Sequence, residues 1–355
     1  MSSSLLSFDL KNLKLPRWLT LQAPADPGPT GLKATYPPVA MDMGINHLML
    51  ARLAKSGDRK WSLSAYSVVE VPPDLLDSDF FRIKVKSAGQ YQDLVAGAIR
   101  KEGIKTDKIS VVVPDHLARV ALLNFEELPR TRRELTALVR WRMKKAVPFK
   151  VEEAAVDYQV LPHGGNGCVV LAVLMPASIL EEHESVFIRL GIHPGLVDLS
   201  SFSLAHLYRP VIQKEVPENG DFMIMNATTT FFTVMIFRAG LPIFYRCKTF
   251  GFSGDENGDA SHRLIHREAQ ASLLYYQEKL QGLSLAKVYM RLVGHDPARV
   301  AALFEGAPVS APPELIDVRR VVDVTGRIGE IGEERVSELL QRLAPAVGAA
   351  LGRDA

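Results

Sequence analysis

The stretch TRRELTALVRWRMKKAVPFKVEEAAVDYQVL, residues 131–161, decides the fold. Thr131 followed three residues later by Glu134 makes a capping box, which predicts that a helix begins here. Apolar residues then recur at helical spacing, and Pro148 predicts that the helix ends before it. After Phe149 apolar and polar residues alternate, as in a half-buried strand. The stretch therefore predicts a helix followed by a strand.

Apolar runs on both sides complete this unit. Residues 118–123 read as a strand before the helix, and residues 168–175 read as a strand after it. A glycine-rich loop over residues 163–167 favours a hairpin between the last two strands. The sequence therefore predicts a strand–helix–strand–strand unit over about residues 117–175.

Composition limits the class of protein. The 355 residues are enough for two domains with sizeable cores, and 47% hydrophobic residues is ordinary for a globular chain. A net charge of +2 gives no reason to expect nucleic acid as a partner. Two cysteines are too few for a disulfide framework, which indicates a reducing compartment.

The chain divides into two halves that begin alike. Residues 39–53 and residues 221–237 each read as strand, polar turn and strand. The predicted organisation is a tail and linker (1–36), a first domain (37–213) with the inserted unit, a second domain (214–332) and a C-terminal helix (333–355).

The N-terminal tail has an amphipathic pattern. Leu6, Leu10 and Leu13 fall on one helical face, with basic residues between them. Such a segment favours contact with a membrane surface. The other interpretation is a tail whose apolar residues pack on the body, since Pro16 shortens any helix.

A duplicated strand–turn–strand with acidic and glycine residues in its turns is the phosphate-binding layout of the actin-like ATPase fold. The segment VPFKVEEAAVDYQVL, residues 147–161, resembles the signature of the type IV pilus assembly protein PilM family. That signature reads Ile-Pro-Phe, then Glu-Glu, then Asp-Tyr-Gln-Val-Leu. The resemblance implies an α/β, actin-like (ribonuclease H-like) fold with an inserted strand–helix–strand–strand subdomain.

The same resemblance implies surroundings and partners. It implies a cytoplasmic protein at the inner membrane, docked on the N-terminal tail of a membrane partner, PilN, among other pilus platform proteins. ATP with magnesium is the cofactor that the actin-like fold implies.

The first phosphate turn of the family is only partly retained. Asp42 and Gly44 are present. The family's serine positions are occupied by Ile45, Asn46 and His47, and Met49 stands where the family has lysine. Hydroxyls, backbone amides and a cation normally hold phosphate oxygens. The first turn is therefore predicted to bind phosphate poorly.

The second turn departs further. Asn226 replaces the carboxylate that would hold magnesium, and Thr228 replaces glycine. Only Gly294 remains of the glycine pair on the adenosine side, and the segment after Gly251 is short. We expect no ATP hydrolysis, no catalytic residue and no metal site, although ATP binding is kept as an alternative.

The partner site is predicted in a groove between the inserted subdomain and the first domain. An extended peptide there would gain backbone hydrogen bonds and side-chain pockets. The candidate partner-binding residues are a basic strip on one helix face, an apolar corner where the helix ends, and one tyrosine: Arg133, Arg140, Lys144, Pro148, Phe149 and Tyr158. Alternatives are a solvated face for the strip and a core position for Phe149.

Three functions remain open from sequence. The first is a scaffold with a degenerate nucleotide site in a pilus platform. The second is a working actin-like ATPase that opens and closes. The third is the cytoplasmic component of a type II secretion platform.

Overall fold

The computed structural model describes residues 36–56, 60–79, 82–161, 167–250, 259–324, 328 and 332–351. The predicted N-terminal membrane anchor lies outside these residues, as does most of the predicted hairpin loop at 163–167. None of the helices within the described ranges has both the length and the apolar composition that a membrane span requires.

The first domain is built around a six-stranded sheet. Its elements up to the inserted subdomain are β1 (Val39–Met43), β2 (His47–Ser56), β3 (Lys60–Glu70), β4 (Leu76–Asp79), β5 (Arg82–Val85), α1 (Ala88–Lys101) and β6 (Lys108–Val113). The inserted subdomain follows as β7 (Arg119–Phe125), α2 (Arg132–Met143), β8 (Ala154–Leu161) and β9 (Cys168–Pro176). The chain then returns to the first domain as α3 (Ala177–Ile188), β10 (His193–Leu199) and α4 (Ser200–Glu215).

The second domain repeats the opening pattern. Its elements are β11 (Asp221–Ala227), β12 (Phe231–Arg238), β13 (Leu241–Thr249), α5 (Asp259–Glu278), β14 (Leu285–Leu292), α6 (Pro297–Ala301) and β15 (Glu314–Leu315). The chain ends with β16 (Val322–Asp323) and α7 (Glu333–Ala350).

The two larger sheets share one arrangement. The first has the order β10-β6-β1-β2-β3-β16, and the second has the order β13-β12-β11-β14-β15. In each, an antiparallel meander of three strands is extended by a strand parallel to its first member, β6 beside β1 and β14 beside β11. The predicted duplication is therefore a repeat of the same sheet.

The chain returns to the first domain at its end. β16 pairs with β3, and α7 packs on β1, β2, β6 and α4. A Cβ on Gly348 of α7 would stand 2.1 Å from the Ser203 carbonyl oxygen of α4, so the two helices meet backbone to backbone. The sequence-based division, with residues to 332 in the second domain, differs here because a two-residue strand has no sequence signature.

The inserted subdomain has the predicted strand–helix–strand–strand order. The hydroxyl of Thr131 accepts the Glu134 amide at 3.2 Å, which confirms Thr131 as the helix N-cap, and it donates to the Glu134 carboxylate at 2.8 Å in place of the backbone bond of a full capping box. The sheet order is β7-β9-β8, all antiparallel. Even-numbered residues of β9 from Val170 to Leu174 face α2, and odd-numbered residues from Leu171 to Met175 join the first-domain core.

Candidate functional site

The predicted phosphate turns of both halves line one cleft between the domains. Asp42, Gly44, Asn46 and Thr228 all border it. A Cβ on Gly44 would stand 2.7 Å from the His47 carbonyl oxygen, so the tight β1–β2 turn by itself requires glycine. Gly44 is thus explained without any ligand.

Three buried carboxylates lie along one edge of the first sheet. β10, β6 and β1 are parallel neighbours, and the carboxyl ends of parallel strands lie together. Asp42 lies near the end of β1, Asp115 follows β6, and Asp198 lies near the end of β10. Each is at most 5% exposed. Sequence reasoning missed Asp115 and Asp198, although each comes at or just after the end of a predicted strand.

A buried arginine from the second domain lies beside one of these carboxylates, Asp42. Arg291 on β14 lies directly opposite Asn226 on β11, and its Nη1 donates to Asn226 Oδ1 at 3.0 Å. Its Nη2 lies 3.9 Å from Asp42 Oδ2, and the Arg291 side chain is 2% exposed. The guanidinium therefore stands between the turns of the two halves.

The remaining donors of Arg291 bind α7. Nε donates to the Gln341 carbonyl at 2.7 Å, and Nη2 donates to the Arg342 carbonyl at 3.3 Å. Because α7 packs on the first domain, one side chain links both domains. The sequence signal for it was a charged residue near the end of an apolar strand, at a position that reads as buried, which calls for a buried partner.

Burial and charge set the protonation states in the cleft. Burial raises the pKa of Asp42 to about 6; Arg291 opposes that rise and Asp115 adds to it. Burial, with Arg291 and Arg342, lowers the pKa of His47 to about 4. Near pH 7 the ionised Asp42 is thus paired with Arg291, and His47 is neutral.

The second turn uses its own amides internally. The hydroxyl of Thr228 accepts the backbone amides of Thr230 at 3.2 Å and Phe231 at 3.1 Å. The Asn226 amide nitrogen donates to the hydroxyls of Ser200 and Ser201, at 3.0 and 3.1 Å. The amides of Thr230 and Phe231 and the side-chain amide of Asn226 are therefore already bonded to the protein.

Gly294 and Met49 also have structural explanations. Gly294 has φ +77, and a Cβ there would stand 2.6 Å from a methyl group of Thr229, so Gly294 packs against the second turn. Met49 lies opposite Asp42 on β2 and is fully buried. It brings no charge to the cleft where the family has lysine.

The cleft between the two turns is narrow, and Arg291 is one of the residues that line it. No cluster of metal-ligating side chains occurs in the described part of the chain. The Asp42 carboxylate faces a guanidinium, and the second turn offers an amide where a hard cation prefers a carboxylate. The residues present do not fit ATP with magnesium.

The predicted basic strip divides into two kinds of residue. Arg133 and Lys144 are exposed, and Lys144 pairs with Glu152 at 3.6 Å. Arg140 is half-buried, and its Nη2 donates to the Ala154 carbonyl at 2.9 Å. Arg140 therefore ties α2 to the start of β8 instead of facing a partner.

The predicted apolar corner lies elsewhere than expected. Pro148 is exposed, but Phe149 is half-buried among the residues between α2 and the inserted sheet. Tyr158 packs in the same cluster, and its hydroxyl donates to the Arg132 carbonyl at 3.2 Å. Since the first domain contacts the opposite face of this sheet, Phe149 and Tyr158 do not line a groove beside the first domain.

Two duplicated domains around a cleft, one of them carrying an inserted subdomain, define the actin-like ATPase fold. The model of the family described as type IV pilus assembly protein PilM matches residues 40–260, more than half of the chain. The chain belongs to this family.

Solved structures resemble the chain to different degrees. A PilM–PilN type IV pilus biogenesis complex matches with a TM-score of 0.71 at 15% identity, covering 90% of this chain and 98% of that chain. A Bacteroides thetaiotaomicron protein of actin-like ATPase fold has a TM-score of 0.47 at 10% identity, covering 82% and 93%. The cytoplasmic domain of EpsL, an inner-membrane component of the type II secretion system of Vibrio cholerae, has 0.42 at 10%, covering 73% and 82%. No curated protein matches the sequence.

Proposed function

We propose that this protein is a scaffold on the cytoplasmic side of a type IV pilus inner-membrane platform. It binds the N-terminal tail of a PilN-like membrane protein and does not hydrolyse ATP. The observation that carries the proposal is Arg291, which fills the cleft between the two turns with a protein cation.

The contacts of Arg291 oppose both nucleotide binding and domain opening. A magnesium ion beside Asp42 would meet the positive guanidinium, and like charges in a buried site repel strongly. Swinging Arg291 away would break its bonds to Asn226, Gln341 and Arg342. A chain locked in this way serves as a fixed platform for a partner.

The outer edge of β8 is the site that we assign to the tail. β8 is the last strand of the order β7-β9-β8, so among the described residues its other edge pairs with no strand. α3, which belongs to the first domain, contacts β8 and β9. Val160 on β8 is 42% exposed and pairs with Val170 on the α2 side of the sheet, so it offers an apolar contact at the free edge on the side away from the first domain.

A binding titration tests this site. A synthetic tail peptide of the PilN-like protein from the same organism is titrated into the wild type and into Val160→Lys. We expect affinity to fall about tenfold, because the substitution puts a charge at the apolar contact. Leu274→Lys, at a 54% exposed apolar residue of α5, is the matched control. Equal affinity of all three proteins for the peptide would show that the peptide does not bind at β8.

Nucleotide is tested separately by thermal unfolding with magnesium and ATP. A ligand that binds only the folded state stabilises it by RT ln(1 + [L]/Kd), and we expect no such increase. If the protein turns over ATP with magnesium and Asp42→Ala abolishes this turnover, the proposal that it does not hydrolyse ATP is wrong. This outcome is independent of the result of the peptide titration.

A further inference from the structure

The outer face of α2 has an unusual composition. At about 100° per residue, its solvent side carries residues spaced three and four apart. They form what we call the outer face of α2: Arg133, Ala137, Trp141, Lys144 and Lys145, all exposed. The inner side carries Leu135, Val139 and Met143, which are buried.

Trp141 lies at the centre of this face with no packing role. It is 68% exposed, although tryptophan is one of the side chains most buried on average in folded proteins. Ala137 one turn earlier adds only a methyl group, so the indole stands free above the helix surface. The inserted subdomain has its core on the other side of α2, and Trp141 does not belong to it.

The charges around Trp141 are mostly positive. Within the described part of the chain, Arg133 and Lys145 have no ion-pair partner. Lys144 pairs with Glu152 at 3.6 Å, and both side chains are 66% exposed. The acid on this side of α2, Glu134, is bonded to the capping hydroxyl of Thr131. The face is therefore cationic with one aromatic ring at its centre.

We propose that the outer face of α2 docks on an anionic phospholipid bilayer. Tryptophan is favoured at the level of lipid headgroups, where its ring lies in an apolar layer and its N–H in a wet one. Lysine and arginine beside it reach anionic headgroups, and their aliphatic stems cover apolar surface. The occupant is the surface of the membrane, not its interior.

The shape of the face favours a bilayer over an acidic protein. A stable protein interface covers roughly 800 Å² on each partner around an apolar, well-packed centre. Here a single exposed ring stands on a convex helix, with exposed cations around it. A deformable, negatively charged layer of headgroups fits such a surface without a pocket.

This docking is separate from the peptide site. α2 covers a face of the inserted sheet, while the tail is assigned to the free edge of β8. Variants of the outer face should therefore leave affinity for the tail peptide unchanged. The two proposals can fail independently.

Co-sedimentation with vesicles is the test. The full chain is mixed with vesicles of equal parts phosphatidylcholine and phosphatidylglycerol, and with phosphatidylcholine alone. Trp141→Ala should bind the anionic vesicles about tenfold more weakly, and Arg133→Glu with Lys145→Glu at least about tenfold more weakly. Leu283→Ala, at a 91% exposed residue, and Lys101→Glu with Lys105→Glu, at exposed lysines, are the matched controls and should bind like the wild type.

Fluorescence places the ring. The chain has three tryptophans, and Trp18→Phe with Trp61→Phe leaves Trp141 as the one emitter. Anionic vesicles with brominated acyl chains should quench it. Wild-type binding by the Trp141 or charge variants would overturn the proposal. Equal binding to neutral and anionic vesicles would also overturn it. Binding to poly-glutamate with no quenching by brominated vesicles would overturn it too, and would assign the face to an acidic protein.

Discussion

Arg291→Met isolates the contribution of the buried guanidinium. Methionine has a similar length and an unbranched chain, so it fills much of the same space without charge or donors. The substitution leaves two buried acceptors, the Gln341 carbonyl and Asn226 Oδ1, without their donor. It also leaves Asp42 without its counter-ion.

The expected cost follows from these losses. Each buried acceptor left unsatisfied costs about 1–3 kcal/mol, and removing one partner of a buried ion pair costs about 3–5 kcal/mol. Both costs arise from the loss of the same guanidinium, so they are not added. We expect the free energy of unfolding to fall by about 3–5 kcal/mol. Arg189→Met, at an exposed arginine bonded to Ser185, should cost under about 0.5 kcal/mol.

The cost should also depend on pH. Arg291 holds the pKa of Asp42 down to about 6, and without it that pKa rises further. At a pH below the pKa of Asp42 in both proteins, Asp42 is protonated in the folded wild type and in the folded variant. Above pH 6 only the wild type gains from the ion pair. The deficit should therefore be larger at about pH 8 than at about pH 5.

Urea unfolding followed by circular dichroism measures both effects. Arg291→Lys keeps the charge but not the planar set of donors, so its cost should be intermediate. A deficit under about 1 kcal/mol for Arg291→Met, or an equal deficit at both pH values, would refute the role given to this side chain.

Three further predictions use the same unfolding assay. The free energy of unfolding of Asp42→Asn, relative to that of the wild type, should rise by about 3 kcal/mol between pH 4 and pH 7. The reason is that the wild type must ionise a carboxyl whose pKa is raised from 3.8 to about 6, which costs about 1.4 kcal/mol per pKa unit. A pH-independent difference would contradict this. Phe149→Ala should cost about 1–3 kcal/mol of stability and leave tail affinity unchanged, since the ring is half-buried beside α2; a large loss of affinity with unchanged stability would return Phe149 to the partner site. Gly348→Ala should cost about 3 kcal/mol, because its Cβ would stand 2.1 Å from the Ser203 carbonyl oxygen; Gly97→Ala, with open space around its Cβ, should not destabilise.

Local signals made the inserted subdomain predictable. The capping box at Thr131 and the change of period after Phe149 involve residues close in sequence, and the structure has the helix and the strand where these signals place them. The same holds for the repeated strand–turn–strand that begins each half. These signals fix elements without any knowledge of tertiary contacts.

The contents of the cleft were only partly predictable. The loss of phosphate-binding residues could be read from Met49 and Thr228, but the cation that fills the space could not. Arg291 meets Asn226 through strand register across 65 positions, and meets Asp42 only when the domains are packed together. Phe149 was predicted beside the first domain but packs between α2 and the inserted sheet. The reason is related, since tertiary packing sets which face of the inserted sheet meets the first domain.

In the function proposed here, this protein binds its partner without using nucleotide. Calorimetric titration of the tail peptide into the full chain, with and without magnesium and ATP, is the decisive test. We expect the two dissociation constants to agree within about twofold, because a ligand that does not bind has no coupling energy with the peptide. A change of about tenfold or more in either direction would show that nucleotide enters the cleft and shifts the scaffold between states.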